Sequence, residues 1–163
     1  MVSINADYYL PTDDHTNHTG EVLRVDNTPF DFRTPHAIGE RIESGHEQLR
    51  FGHGYDHGFV LRKKQLKELT HAATVVSPST GRRMDVFTTE IGMIMYSGNY
   101  LPGFTGMHGT TYPRRSAICF ETECFPDTPA NLHFPPIELH PGQVYRQTCI
   151  YKFSVDDPEP KPV

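Results

Sequence analysis

Apolar and polar residues alternate along most of this chain, and a period of two residues is typical of β-strands. The first segment, VSINADYY, places four residues on one predicted face: Val2, Ile4, Ala6 and Tyr8. Similar patterns predict strands in GEVLRVD, PFDFR, GFVL, HAATVV, RRMDVFTTE, IGMIMYSG, SAICFETE and QVYRQTCIYKFSV. Roughly eight to ten short strands separated by turn residues predict an all-β sandwich.

Helical periodicity is nearly absent, and one short helix is predicted. In TPHAIGERIESG, Thr34 is placed to cap a helix and Pro35 suits its first position. Ile38 and Ile42 then lie four residues apart, on one face of that helix. Further along, the turn SPSTG between two strand patterns predicts a β-hairpin over residues 71–90.

The length and composition limit the partners that we expect. The chain has 163 residues, which suits one domain over residues 1–155, with a frayed Pro-rich tail over residues 156–163. The net charge is −5 and the longest basic run is Arg62–Lys64, so nucleic acid is not an expected partner. No apolar run approaches the ~20 residues that cross a bilayer, so no membrane association is expected.

The cysteines and the first residues predict a cytoplasmic protein. Three cysteines, Cys119, Cys124 and Cys149, are an odd number and lack the spacing of zinc ligands. The first residues have neither the basic nor the apolar region of a signal peptide. A reduced, cytoplasmic protein fits best, and an exported protein whose signal lies outside this sequence is the alternative.

Two carboxylates stand out as candidates for chemistry. Glu121 lies within a predicted strand on the face opposite Ile118 and Phe120, with Glu123 on the same face. Asp56 lies in the turn GYDH at the start of another strand. From the residues alone, a solvated carboxylate on an exposed sheet is the ordinary explanation of Glu121, and an aspartate that binds local backbone N–H groups is that of Asp56.

Metal and nucleophilic sites have weaker support in the sequence. His15 and His18 are three residues apart, and His53 and His57 are four apart, but both pairs lie in predicted loops. No nearby base marks Cys124 as an activated nucleophile. We therefore predict no metal site.

Several segments, in order, resemble the aldose 1-epimerase (galactose mutarotase) family. They include INADYYLPTD, TGE, TPFDFR, GYDHGFVL, STGRRMDV, YSGNYL, ICFETECFPDTPANLHFPP and YKFSV, together with a closing motif of Leu139, Pro141, Gly142 and Tyr145. The resemblance covers nearly the whole chain and corresponds to the C-terminal half of the family's sequence. It implies a twisted β-sandwich that holds a hexose such as galactose or glucose.

The resemblance also implies roles for individual residues. Glu121 matches the family's catalytic base, and Asp56 matches an aspartate that binds sugar hydroxyls. His57 is expected to support the Asp56 loop. The implied reaction is acid–base opening of the sugar ring and its closure to the other anomer, and it needs no cofactor because no electrons move.

The chain also departs from the family pattern. The family's acid histidine belongs to an Asn-His-x-Tyr-Phe-Asn-like motif in the N-terminal half, and this sequence has no match to it. A partial sandwich is therefore expected, with exposed apolar surface that leads to self-association or needs the missing half. The alternatives are a non-catalytic sugar-binding protein, an inert remnant, and an epimerase of hexose 6-phosphates that uses Arg82, Arg83, Arg114 and Arg115.

Overall fold

The computed structural model describes residues 1–156, which form mainly β-strands. Two short α-helices, α1 (Ile38–Arg41) and α2 (Glu47–Phe51), precede the longer strands. Two 3₁₀ turns cover Met107–Gly109 and Thr128–Ala130. The strands are β1 (Val2–Ile4), β2 (Ala6–Leu10), β3 (Leu23–Arg24), β4 (Asp56–Leu61), β5 (Thr70–Val76), β6 (Arg82–Thr88), β7 (Gly92–Tyr96), β8 (Phe104–Thr105), β9 (Thr111–Tyr112), β10 (Cys119–Glu123) and β11 (Cys149–Val155).

The strands form two antiparallel sheets around one core. One sheet has the order β1-β5-β6-β11 and the other the order β10-β7-β4-β2-β3, while β8 and β9 pair as a small ribbon. The core takes Val86 from the first sheet and Phe59, Met95 and Phe120 from the second. Burial of these side chains from both sheets is the main favourable contribution to folding. The predicted all-β, sandwich-like fold is confirmed.

The first predicted strand is interrupted. Val2, Ile4 and Ala6 are buried as expected, but Tyr8 is 37% exposed and the prediction that it shares their face is wrong. The pairing of β2 with β4 shifts register between Ala6 and Tyr8. A shift of this kind moves the following residues to the opposite faces. Tyr9 is therefore the tyrosine that enters the core.

Two other predicted strands differ from the structure: one is a loop, and the other is shorter than predicted. PFDFR is a loop, although Phe30 and Phe32 are almost fully buried. Phe30 stacks on Tyr9 with ring centroids 4.3 Å apart. The alternation of apolar residues in PFDFR therefore arises from packing against the core and not from strand pairing. In the last segment the strand begins only at Cys149. Of the predicted tail, Asp156 alone falls within the described residues.

The helices also differ from the prediction. α1 is flanked by extended Ala37, and Thr34 does not cap it. α2 was not predicted; its cap is His46, whose Nδ1 accepts a hydrogen bond from the Gln48 N–H at 3.3 Å. Five residues are too few for a helical period to be recognised. The predicted hairpin, by contrast, is confirmed by the pairing of β5 with β6.

Candidate active site

Asp56 follows a turn that buried polar side chains hold in place. The Asn99 side-chain amide donates to the carbonyls of Gly52 and Tyr55, both at 2.9 Å. Ser97 Oγ accepts the Tyr55 N–H at 3.1 Å and donates to the side-chain oxygen Oδ1 of Asn99 at 2.7 Å. Buried polar groups stabilise a structure when they are paired in this way. The network fixes the backbone immediately before Asp56.

His57 lies beneath Asp56 in the core. Its side chain is fully buried, and Nδ1 accepts the Asp56 backbone N–H at 3.1 Å. The ring packs against Phe30 with centroids 4.7 Å apart. Burial lowers the pKa of His57 to about 3, so the imidazole is neutral. His57 therefore supports the strand that carries Asp56, and it is directed away from the exposed face.

Glu121 lies on the exposed face of β10. The preceding residue, Phe120, is buried, and the alternation within this strand is the one predicted from the sequence. Phe120 also accepts, through its carbonyl oxygen, a 2.6 Å hydrogen bond from the Tyr151 hydroxyl of β11. β10 is thus tied to the opposite sheet at the residue next to Glu121.

The strand pairing brings Asp56 and Glu121 to one face of the five-stranded sheet. Asp56 pairs with Tyr96, and Glu121 pairs with Ile94, so the carboxylates lie on either side of β7 and two residues apart along it. Neighbouring strands are about 4.8 Å apart, which separates β4 from β10 by roughly 10 Å. Burial, and then the charge of Glu121, raise the pKa of Asp56.

Aromatic rings extend this face next to Asp56. Tyr96 and Tyr100 stack with centroids 6.3 Å apart, and the Tyr100 N–H donates to the Tyr96 hydroxyl at 2.9 Å. Burial raises the pKa of Tyr100, and the charge of Asp56 adds to this effect. Together, two carboxylates and two phenol rings form a surface with acceptors for hydroxyl groups and apolar area for a ring.

A comparison with models of protein families identifies the family of this chain. The family model described as aldose 1-epimerase matches residues 1–152. The chain belongs to the aldose 1-epimerase family. The resemblance seen in the sequence motifs is thereby confirmed.

Individual aldose 1-epimerase relatives match almost all of this chain but under half of their own length. Galactose mutarotase from Rattus norvegicus is 41% identical over 155 residues, which are 94% of this chain and 43% of the relative. Aldose 1-epimerase from Haemophilus influenzae is 36% identical over 148 residues, or 89% and 42% of the two chains. A crystal structure of a GalM/aldose epimerase homologue from C. elegans superposes with a TM-score of 0.83 at 27% identity, covering 94% and 45%.

A second acidic cluster lies beyond Glu121 in this aldose 1-epimerase family member. Glu90 is buried and accepts hydrogen bonds from the Tyr145 hydroxyl at 2.6 Å and the Cys124 thiol at 3.3 Å. Burial, followed by the charges of Glu121 and Glu90, raises the pKa of Glu123. The hydrogen bond to Glu90 raises the pKa of Tyr145 to about 12. Glu90, Cys124 and Tyr145 border a groove of about 710 Å³.

Sequence reasoning missed Asn99, Ser97 and Glu90. Asn99 and Ser97 act through contacts with residues more than 40 positions earlier. A polar residue next to a turn gives no sign of such contacts by itself. Ser97 falls at the end of the predicted strand IGMIMYSG, and Asn99 was noted only within the family-resemblance segment YSGNYL.

His53 and His57, one of the two histidine pairs considered as metal ligands, do not lie together in the structure. His53 is exposed, whereas His57 is buried in the core. In another loop the ligand atoms of Asp13, Asp14 and His15 lie within 4.8 Å of one another. Asp13 already accepts the backbone N–H groups of His15 and Asn17, as in an ordinary turn.

Within residues 1–156, no helix is long and apolar enough to cross a membrane.

Proposed function

We propose that this chain acts in the interconversion of the α and β anomers of hexoses such as galactose and glucose. One observation carries the proposal: in a chain of the aldose 1-epimerase family, Glu121 is exposed on the same sheet face as Asp56. A carboxylate that is accessible to solvent can reach a sugar hydroxyl, which a carboxylate in the core cannot.

In the proposed reaction, the Glu121 carboxylate takes the proton from the C1 hydroxyl of the sugar. An acid protonates the ring oxygen at the same time, and the C1–O5 bond breaks to give the open-chain aldehyde. Rotation about C1–C2 presents the other face of the carbonyl, and ring closure returns both protons. Only protons move, so the reaction itself requires no redox cofactor.

Asp56 is proposed to orient the sugar. Its ionised carboxylate accepts hydrogen bonds from two hydroxyl groups, and the Asn99 network keeps its strand in place. The exposed ring of Tyr100 offers apolar surface beside it. Asp56 therefore serves binding, while Glu121 serves proton transfer.

The proton donor is the remaining requirement. Within residues 1–156, the neighbours of Glu121 on the same face of the sheet are Cys119 and Glu123 on β10 and Ile94 on β7, and none of them is a histidine. This observation favours a second candidate function, a protein that binds sugar on the same face without catalysing the reaction. A donor supplied by another polypeptide would restore the first function.

Polarimetry separates the two candidates. The optical rotation of freshly dissolved α-galactose is followed with the wild-type chain and with Glu121→Gln, and sugar binding is measured by calorimetry. An epimerase accelerates the change in rotation, and Glu121→Gln loses roughly 10²–10⁴-fold of that acceleration. Glu47→Gln, on an exposed carboxylate of α2, is the matched control and keeps the wild-type rate.

Binding of galactose to both proteins without acceleration by either would support the sugar-binding function. Absence of both binding and acceleration would refute both candidates.

We also propose that the protein works in the cytoplasm. Cys119, Cys124 and Cys149 are all free thiols, which is the usual state in a reducing compartment.

A further inference from the structure

A cavity of about 280 Å³ lies between α2 and the loop that precedes β10. Its size suits a small ion or one end of a larger ligand. The polar residues around it are predominantly basic: Arg50, Arg114, Arg115, His46, His53 and the single acid Glu43. This composition contrasts with the net charge of −5 of the whole chain.

The positive charge in this cavity is only partly compensated. Glu43 pairs with Arg115, and Arg50 approaches Glu47 at 3.9 Å, where both side chains are 66% exposed. Exposed pairs of this kind contribute little to stability. Among the ion pairs of residues 1–156, none involves Arg114. Its Nε and Nη2 donate instead to the carbonyls of Asn99 and His53, at 3.2 and 2.7 Å.

The two adjacent arginines converge on one acceptor. Nη2 of Arg114 and Nη2 of Arg115 both donate to the His53 carbonyl, at 2.7 and 3.0 Å. Two guanidinium groups are thereby held side by side, and like charges at such a distance repel each other. Nε of Arg115 is also buried without a hydrogen-bond partner in the described part of the chain. An anion in the cavity would relieve this repulsion.

We propose that this cavity is a binding site for a phosphate group. Guanidinium groups are planar, stay charged, and match phosphate oxygens with pairs of N–H donors. The arginines that form the site differ from the four considered from the sequence alone. Arg82 and Arg83 lie on β6 of the other sheet, and Arg50 joins Arg114 and Arg115.

The cavity adjoins the proposed sugar site. The His53 ring packs edge-on against Tyr100 with centroids 5.6 Å apart, and Tyr100 stacks on Tyr96, the strand partner of Asp56. The phosphate group can therefore belong to a sugar phosphate whose sugar reaches Asp56, or it can be inorganic phosphate. The site itself rests on the arginines alone; only the sugar phosphate source depends on the proposed function.

Calorimetric titration of the whole chain with inorganic phosphate, at constant ionic strength, tests the site. Saturable binding is expected, and Arg114→Gln weakens it about tenfold or more, which corresponds to losing one charged hydrogen-bonding group. Arg82→Gln, an exposed arginine on the other sheet, leaves the affinity unchanged. Glu43→Gln removes the competing carboxylate and strengthens binding, which a purely structural arginine pair would not produce.

Arg50→Gln keeps the test decisive if Arg114→Gln does not fold, because Arg50 makes only an exposed contact with Glu47. It too is expected to weaken phosphate binding. The proposal is wrong if the wild-type chain shows no saturable phosphate binding. It is equally wrong if the Arg50 or Arg114 variant folds and binds phosphate with wild-type affinity.

Glucose 6-phosphate and glucose, used as further titrants, distinguish the two sources. Tighter binding of glucose 6-phosphate than of phosphate, reduced by Asp56→Asn, supports the site with a sugar phosphate as its ligand. Equal affinities that Asp56→Asn leaves unchanged support the site with inorganic phosphate. Failure of the phosphate site shows in these titrations, whereas failure of the proposed function shows in polarimetry with galactose.

Discussion

Glu121 and Asp56 differ in how much of their position follows from the sequence alone. Glu121 alternates with Phe120 along one strand, so its exposure was predicted correctly from the period of two residues. Asp56 lies on the same face as Glu121 because of the way β4 and β10 each pair with β7. No local sequence pattern predicts this pairing. The family resemblance supplied what the local pattern could not.

The raised pKa of Asp56 predicts a conflict between stability and function at this residue. Burial and the nearby Glu121 favour the protonated form, so the folded state loses stability as pH rises through the raised pKa. Asp56→Asn is therefore expected to melt at a higher temperature than wild type at neutral pH, and to bind galactose more weakly. Thermal melts and calorimetry at several pH values check this.

The difference in melting temperature should shrink below the ordinary aspartate pKa of about 4, where wild-type Asp56 is also uncharged. An Asp56→Asn protein that is less stable than wild type at neutral pH would contradict the prediction.

Asp85 is expected to behave in the opposite way. Hydrogen bonds from Arg83, at 2.8 Å, and from Thr74, at 2.5 Å, lower the pKa of this nearly buried carboxyl. Its stabilisation is complete above the ordinary pKa and is lost as pH falls toward the lowered one. Asp85→Asn should lower the free energy of unfolding by about 2 kcal/mol at pH 7.

Urea denaturation at pH 7 and at acid pH measures this effect. The two proteins should become more similar in stability as the pH is lowered. A constant difference across the pH range would show that Asp85 acts through packing and not through its charge.

At the scale of elements, the prediction succeeded where one local pattern was sufficient. The β5–β6 hairpin has two alternating strands and a turn signal, and all three lie within about 20 residues. The prediction of a strand in PFDFR was wrong because Phe30 and Phe32 reach the core from a loop. The sequence did not predict α2 because this helix is short and is stabilised by the burial of Leu49 in the core. Burial and secondary structure are separate properties in such segments.

The turn between α2 and β4 depends on a glycine. Gly54 has φ +140°, and a Cβ there would clash with the Asn99 side chain that holds the turn. Gly54→Ala is expected to destabilise the protein by about 2 kcal/mol or more, because this backbone region is accessible essentially to glycine alone. It should also weaken galactose binding by displacing Asp56. Chemical denaturation and calorimetry measure the two effects.

Gly39→Ala is the matched control. A Cβ at Gly39 meets nothing within 4 Å, and alanine is favoured over glycine in a helix by up to about 1 kcal/mol. Wild-type stability and binding in Gly54→Ala would disprove the role given to this turn.

At the scale of the whole molecule, one core-facing surface is left open. Tyr151 and Phe153 pair with Val86 and Met84, so they share the face of β6 that is directed to the core. Phe153 and Val155 are nevertheless 74% and 73% exposed. β11 is also an edge strand of its sheet, so these apolar side chains are exposed along an edge.

We predict that this face of β11 promotes self-association. Apolar side chains on an edge strand can pair with the same strand of a second copy. Sedimentation velocity across a wide range of protein concentration should show association, and Phe153→Ser should reduce it. Lys152→Ser, on the opposite side of the same strand, is the control and should leave association unchanged.

A wild-type chain that remains monomeric at all concentrations would contradict this prediction. Equal association of the Phe153 and Lys152 variants would assign the interface to another surface.

The pairing of Glu121 with Ile94 limits how this chain can vary. Residues 97–118 connect β7 to β10, and they include the small β8–β9 ribbon. Insertions or deletions in this connection are tolerated only if β10 keeps its pairing register with β7. A slip by one residue would turn Phe120 outward and send Glu121 into the core. The connection can therefore vary in length, but the residues of β10 that face the core and those that face outward must stay the same.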